Sequence, residues 1–467
     1  MNKSRLFQKY ILYDMIAAFS VWVAFFIFRK YVNDIKILES FRILIPNYDY
    51  LGSLLFYPFY CIFIHYLVGF YLNTHRKARI NLVLSTISSS VIISVSVFFA
   101  LKLGDVIVSY EYFYFSLLVL FGFQFFFTFS LRNIIFSQIE HNYKTKKWTI
   151  NTLVVGTGEN ASRIANDIEK HSSQNTLVGF VSTNKKVGVS SDKILGNMSQ
   201  IASIVERYEI QETIVALDND AEEKELFKII NLLYRFNIEI QFTPRLFEIL
   251  IGSAKINKLE MSPLVCITKS SMPDWQSSVK RFIDIVASII SLLLLSPFLC
   301  FFMLRIKLDS KGPIIYKQER IGRYGKPFNI LKFRTMYMGA ESGIPQLSSA
   351  DDDRITPVGR ILRKYRIDEI PQFWNIIRGD MSLVGPRPER RYYINQIIED
   401  APYYCLLYKI RPGLTSWGPI KIGYSDTIEK MVERLNYDII YLDNMSLLTD
   451  VKILIYTFEI IFKGKGV

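Results

Sequence analysis

Apolar and polar positions along this chain repeat on different length scales, and each scale predicts a different kind of element. In the first third, four nearly uninterrupted apolar stretches run from about Tyr10 to Phe28, Leu51 to Leu72, Leu82 to Leu101 and Tyr112 to Leu131. Each is close to the ~20 residues that cross a bilayer as helix, so residues 1–147 are expected to form a four-helix transmembrane bundle. The first stretch is too long and too aromatic for a cleaved signal, and no small-residue cleavage site follows it, so it is expected to be retained. From Thr149 to about Thr268 the pattern shortens to β-type runs (Thr152 to Val155, Leu177 to Val181, Thr213 to Leu217, Ile238 to Phe242) separated by amphipathic helical stretches. That alternation predicts a Rossmann-like α/β middle domain with a parallel sheet over residues 148–270. Beyond Lys280 the chain turns apolar again: Ile285 to Leu304 carries no charge, is interrupted by Ser296-Pro297, and is flanked by Lys280, Arg281, Arg305 and Lys307. Proline kinks a helix, and a spanning helix would carry the Arg-rich remainder across the membrane. A re-entrant, kinked helical hairpin over 280–306, with both basic ends on one side, satisfies both facts and opens a C-terminal α/β domain, 271–467.

Composition narrows the class. A chain of 467 residues suits three domains at roughly 150 residues each. Half of it is hydrophobic, yet its formal net charge is +13, a combination that fits an anionic membrane surface. Nucleic acid would use the basic excess but gives no reason for the apolar runs, so no nucleic-acid partner is expected. Lys3, Arg5 and Lys9 at the start, Arg76, Lys77 and Arg79 in the second loop, and Arg132, Lys144, Lys146 and Lys147 at the exit outweigh Arg29, Lys30, Lys36, Arg42 and Lys102. The positive-inside rule then puts both ends of the bundle in the cytoplasm. Cys61, Cys266, Cys300 and Cys405 have no metal or disulfide spacing, and His65, His75, His141 and His171 are equally scattered. A transporter is poorly supported, because acids such as Asp14 and Asp105 are expected toward helix ends rather than along a pathway. The stretch Leu447 to Phe462 is apolar at helical spacing and suits either the membrane surface or core packing.

Two segments carry candidate chemistry. The first β run leads into Gly156-Thr157-Gly158-Glu159-Asn160-Ala161, a G-x-G-x-x-A turn of the kind that brings amides to a phosphate. A dinucleotide site would want an acid near the end of the second strand, where this chain has Val181-Ser182-Thr183-Asn184. The turn therefore reads as Rossmann-like without bound NAD. The alternative is a nucleotide-binding regulator or scaffold that uses this turn as its working site.

The second segment repeats arginine beside glycine or proline around one pair of acids. Lys332-Phe333-Arg334-Thr335-Met336 is followed by Asp353-Arg354-Ile355-Thr356, then by Arg360, Arg363 and Arg366, and by Asp368-Glu369-Ile370-Pro371-Gln372. Gly379-Asp380-Met381-Ser382-Leu383-Val384-Gly385-Pro386-Arg387-Pro388-Glu389 and Arg411-Pro412-Gly413-Leu414-Thr415 complete it. Several guanidinium forks imply a polyanionic substrate such as a diphosphate met by a second phosphate. Asp368 and Glu369 precede Pro371, where a helix is expected to begin and its free amides and dipole would favour negative charge. Neighbours on a helix point different ways. One carboxylate is expected to attack phosphorus while the other binds a divalent metal or handles a proton.

From Lys280 onward these motifs, together with the Ser296-Pro297 kink, closely resemble the catalytic domain of the bacterial polyprenyl-phosphate hexose-1-phosphate transferases, the monotopic phosphoglycosyl transferases. The two preceding domains look like those of its large members, which initiate exopolysaccharide, capsule or lipopolysaccharide O-antigen synthesis. The resemblance implies a ping-pong enzyme of the bacterial inner membrane with its catalytic domain on the cytoplasmic face. Asp368 would attack the β-phosphate of a UDP-sugar, UMP would leave, and undecaprenyl phosphate would collect the hexose-1-phosphate or N-acetylhexosamine-1-phosphate. It further implies Mg2+ on Glu369 and phosphate contacts from Lys332, Arg334, Arg363, Arg387 and Arg411. After Trp417 the family commonly reads Trp-Ala-Gln-Val, whereas this chain has Gly418-Pro419-Ile420, so sugar preference does not carry over. The amount of membrane surface is compatible with a homodimer.

Overall fold

A computed structural model describes residues 3–32, 48–72, 74, 77–102, 110–172, 174–183, 188–218, 223–236, 238–243, 264–267, 271–340, 352–423 and 427–462. Asp105, Lys36, Arg42, His75, Arg76 and Asn184, invoked above, lie outside these residues. The chain divides into two compact units, Met1–Trp148 with Pro273–Phe282, and Thr149–Met272 with Ile283–Val467.

The first unit contains α1 (Lys3–Val32), α2 (Tyr48–Leu67), α3 (Arg79–Lys102) and α4 (Tyr110–Lys144). α1, α3 and α4 are long and apolar enough to cross a membrane, and α2 contributes a shorter apolar stretch, Gly52–Leu67. α1 packs against α2 and α4, and α3 packs against α4. Ala18, Val21, Phe25, Cys61, Ile64, Ile93 and Leu120 form the interior, while Leu55, Phe59, Leu84, Phe99 and Phe126 face outward, a distribution that suits a hydrocarbon surrounding.

The helical unit departs from the sequence expectations at Asp14 and at the end of α4. Asp14 does not lie near the end of α1: it is buried in the helix and paired with Arg132 on α4. Arg132 Nε donates to Asp14 Oδ1 at 2.7 Å and Nη2 to Oδ2 at 2.8 Å, with Tyr71 Oη donating to Oδ2 at 2.8 Å. Arg132 also lies over the Phe70 ring, 3.5 Å from its centroid. It therefore leaves the tally of exit-loop charges. α4 runs on past Leu131 to Lys144, so the exit lies more than three turns later than the hydropathy break suggests.

In the second unit, β1 (Ile150–Val155), β2 (Asn175–Ser182), β3 (Ile194–Asn197), β4 (Glu212–Val215), β5 (Glu239–Phe242) and β6 (Val265–Cys266) form one sheet in the order β3-β2-β1-β4-β5-β6. All pairs are parallel except β5 with β6. Helices α5 (Glu159–His171), α6 (Ile201–Arg207) and α7 (Glu223–Leu233) belong to this doubly wound part.

The C-terminal part begins with α8 (Asp274–Asp309), one helix with Pro297 inside it. Ser296 Oγ donates back to Leu293 O at 2.7 Å. Strands β7 (Ile315–Ile321) and β8 (Pro327–Phe333) form an antiparallel hairpin. Next come α9 (Pro357–Lys364), α10 (Gln372–Arg378) and β9 (Ser382–Val384), then α11 (Arg391–Asp400) and β10 (Gly413–Thr415). The chain finishes with α12 (Trp417–Ile422), α13 (Ile428–Asp443) and α14 (Leu447–Phe462).

The boundary expected near residue 270 is not a break in packing. One apolar core runs from Leu153, Ile230 and Tyr234 to Ile394, Tyr404 and Tyr408. Asn231 Nδ2 donates to Pro402 O at 2.8 Å, and Tyr234 and Tyr408 meet edge to face at 5.8 Å.

Candidate active site

Local backbone rules gather the polar motifs. Thr356 caps α9, its hydroxyl accepting from the Gly359 amide at 3.0 Å, and Pro357 occupies the first helical turn. The Thr356 amide donates to Thr335 O at 2.9 Å and Met336 bridges Ile355, so the K-F-R-T-M and D-R-I-T runs are zipped side by side. β9 and β10 pair in parallel, and Gly413 N donates to Pro386 O at 2.9 Å, which brings the G-P-R-P-E and R-P-G-L-T runs together.

Between them, Ile367–Glu369 forms a 3₁₀ turn entered through Arg366 in the left-handed region, φ 54°. A non-glycine residue there is strained, and the reversal presents both acids to β8. The helix-dipole expectation fails on this point: α10 starts later, at Gln372, and has only seven residues. The Glu369 and Ile370 amides are already used by the carbonyls of Arg366 and Ile367. Side-chain cations supply the positive charge instead. Lys332 Nζ lies 2.9 Å from Glu369 Oε1 and 4.0 Å from Asp368 Oδ2. Arg366 Nη1 and Arg387 Nη2 each stand 3.6 Å from Glu369.

The two buried acids are polarised in opposite directions. Burial pushes the Asp368 carboxyl up to about 6; Lys332 opposes this and the charge of Glu369 reinforces it. For Glu369 burial also acts upward, but Lys332, Arg387 and Arg366 outweigh it and hold the carboxyl well below its ordinary range. A pair split in this way is a functional-site signature.

Both acids open into a pocket of about 720 Å³ whose lining includes Lys332, Arg334, Arg363, Arg366 and Arg387. Arg363 Nε donates to Thr335 Oγ1 at 3.0 Å. Arg411 is not part of that lining: its Nε donates to Gly379 O at 2.9 Å, at the end of α10. Ser296 and Pro297 lie on the exposed middle of α8 and not in the pocket.

Sequence reasoning missed the far wall, where Glu389 accepts from Arg320 Nη1 at 3.2 Å and from Arg434. Burial acts upward on Glu389, but Arg434 and Arg320 outweigh it and lower its carboxyl. The missed signal was present: Arg434 and Asp438 fall on the apolar face of α13, in phase with Met431, Leu435 and Leu442.

Magnesium needs hard oxygen ligands, commonly one or two carboxylates completed by substrate phosphates and water. Asp368 and Glu369 fit that donor type, and no cluster of three or more His, Cys, Asp or Glu occurs among the described residues.

The glycine-rich turn of the middle part is differently furnished. A side chain at Gly156, φ 125°, would fall onto Ala216 O, and one at Gly158 onto the Asp218 carboxylate. Asp218 Oδ1 accepts from the Asn160 amide at 3.2 Å, and Gly188 N donates to Thr157 O at 2.6 Å. The chain's own acid thus holds the place at the start of α5 where a bound phosphate would sit.

Two families match this chain, and the first of the matches along it begins within the helical N-terminal unit. Residues 275–464 match the family described as bacterial sugar transferase, and residues 67–244 match a CoA-binding domain. An Aeromonas hydrophila protein named UDP-N-acetylgalactosamine-undecaprenyl-phosphate N-acetylgalactosaminephosphotransferase is 36% identical over 230 residues, covering 49% of this chain and 54% of its own. The UDP-glucose:undecaprenyl-phosphate glucose-1-phosphate transferase of Escherichia coli (strain K12) is 33% identical over 290 residues, 62% of this chain and 61% of its own. A sugar transferase of Bacillus subtilis with no characterised activity is 36% identical over 189 residues, 40% of this chain but 90% of its own. The chain thus spans between 54% and 61% of the length of the first two relatives.

Proposed function

This chain belongs to the bacterial sugar transferase family, and from that premise we propose that it moves a hexose-1-phosphate or N-acetylhexosamine-1-phosphate from a UDP-sugar to undecaprenyl phosphate. The observation that carries the proposal is the split acid pair on the floor of a pocket ringed by Lys332, Arg363, Arg366 and Arg387. A carboxylate is a competent nucleophile on phosphorus. In the first half-reaction an Asp368 oxygen bonds to the β-phosphorus of the UDP-sugar and the bond to the bridging oxygen breaks. UMP leaves with that electron pair. In the second, a phosphate oxygen of undecaprenyl phosphate bonds to the same phosphorus and the bond to Asp368 breaks, restoring the carboxylate and leaving a diphosphate-linked lipid sugar. Lys332, Arg366 and Arg387 meet the phosphate oxygens while Glu369 stays charged between them. Glu369 would hold Mg2+ together with the donor diphosphate, and the ion would neutralise charge on the transferred group.

We place this chemistry at the cytoplasmic face of the bacterial inner membrane, as the opening step of exopolysaccharide, capsule or O-antigen assembly. Two features of α8 support the re-entrant placement. Asp284 accepts from Ser382 Oγ at 2.7 Å and from the Leu383 amide at 3.1 Å, whereas Ile306 packs with Phe333, Val358 and Leu362. Both segments of the helix thus bind the same polar domain, while Leu293, Leu294, Pro297 and Phe298 between them are exposed.

The test is release of UMP by the full-length protein from a panel of UDP-hexoses and UDP-N-acetylhexosamines, with and without undecaprenyl phosphate. Asp368→Asn is expected to lose both turnover and the covalent phosphosugar, and chelation by EDTA to stop the wild type until Mg2+ is restored. Near-normal turnover by the Asn variant would remove Asp368 from the nucleophile's role. The two named relatives carry different sugars, and the panel also reads the preference of this chain.

A further inference from the structure

Arg334 sits where the apolar helix α8 meets the pocket. Its Nη2 donates to Ile306 O at 3.3 Å, to Ser310 O at 2.6 Å and to Ser310 Oγ at 2.9 Å, which fixes the guanidinium at the C-terminal end of that helix. The residue lines the pocket and is only 5% exposed, yet its Nε and Nη1 have no hydrogen-bond partner among the described residues. Leaving such donors buried and unmet is strongly unfavourable. Nη1 lies against Gly312, where any side chain would fall directly onto it.

The surroundings say what kind of anion belongs there. Leu304, Leu308, Tyr337 and Met338, around the same end of α8 and the adjoining pocket rim, are all exposed apolar residues, which suits an anion carried on a lipid. The next residue, Thr335, accepts from Arg363, whose charge reaches Asp368. The pocket therefore runs from the helix end at Arg334, through Arg363, to the acid pair, and on through Arg387 to Glu389, Arg320 and Arg434.

We propose that Arg334 binds the phosphomonoester of the lipid acceptor at the membrane end of this pocket, leaving Lys332, Arg366 and Arg387 for the donor diphosphate. The proposal rests on the transferase reading of the site and adds a division of labour among its cations. A bilayer headgroup phosphate shares the same chemistry and is the competing source.

The test uses full-length protein in phosphatidylcholine nanodiscs and compares wild type with Arg334→Lys, which keeps a donor for Ser310. With UDP-sugar alone, Arg334→Lys is expected to give the same single burst of UMP as the wild type. With undecaprenyl phosphate added, its KM for that lipid is expected to rise about tenfold, the value of one charge-assisted hydrogen bond, while the KM for UDP-sugar stays unchanged. An unchanged acceptor KM, or a burst and acceptor step that fall together, overturns the assignment. So does a wild-type acceptor KM that rises when half the phosphatidylcholine is replaced by phosphatidylglycerol, because the site then takes headgroups at large. A wild type with no burst on any UDP-sugar would instead reject the transferase reading itself.

Discussion

At the scale of single residues, the role proposed for Asp368 would make turnover pH-dependent. With the Asp368 carboxyl raised to about 6, first by burial and then by the neighbouring charge of Glu369, the attacking form is the carboxylate. Activity should therefore be present above that value and lost as pH falls through it. Lys332 works against the rise, so Lys332→Met should move the acid limb of kcat/KM to higher pH as well as weaken phosphate binding. A profile flat down to pH ~4, near the ordinary aspartate value, would contradict this account. Asp368 and Glu369 were legible as a pair because motif and charge pointed to one place, but their opposite polarisation was not. It depends on Lys332, which reaches back across 37 positions to Glu369, and on Arg387 from a different loop. Arg411 shows the converse. It has the same arginine-proline-glycine dress as the pocket residues, yet β10 carries it to the Gly379 carbonyl.

At the scale of elements, α8 is the piece on which the site depends. Asp284 is buried and satisfies Ser382 and the Leu383 amide on β9, just ahead of the loop that carries Arg387. Asp284→Ala would strand both donors, at a cost of about 3 kcal/mol. The expected outcome is a lower unfolding temperature in detergent and faster hydrogen exchange at Leu383; exchange as slow as in the wild type would show that the tether is not structural. The apolar run of α8 was plain in the sequence, as were the α/β alternation and the parallel sheet. Continuity of the helix through Pro297 was not, because local propensity signals a break there while the polar groups that hold α8 on either side of it come from elements that follow much later.

At the scale of the whole chain, two long-range features escaped any local pattern. The ion pair of Asp14 with Arg132 joins residues 118 positions apart and is fully buried. Removing one partner leaves an uncompensated charge, at a cost of about 3–5 kcal/mol. Asp14→Ala should sharply reduce the yield of monodisperse protein in detergent, and adding Arg132→Met should restore part of it. Full recovery of the single variant would mean that the pair is dispensable. The second feature is the core shared by the Rossmann-like part and the C-terminal part, sealed by Asn231, Tyr234, Tyr404 and Tyr408. The Bacillus subtilis relative is matched over 90% of its length by 189 residues, about the extent of the sugar transferase match at 275–464. Cutting this protein down to that size would therefore uncover a row of tyrosines evolved for a dry seam. A working miniature would first need that flank repainted with soluble side chains.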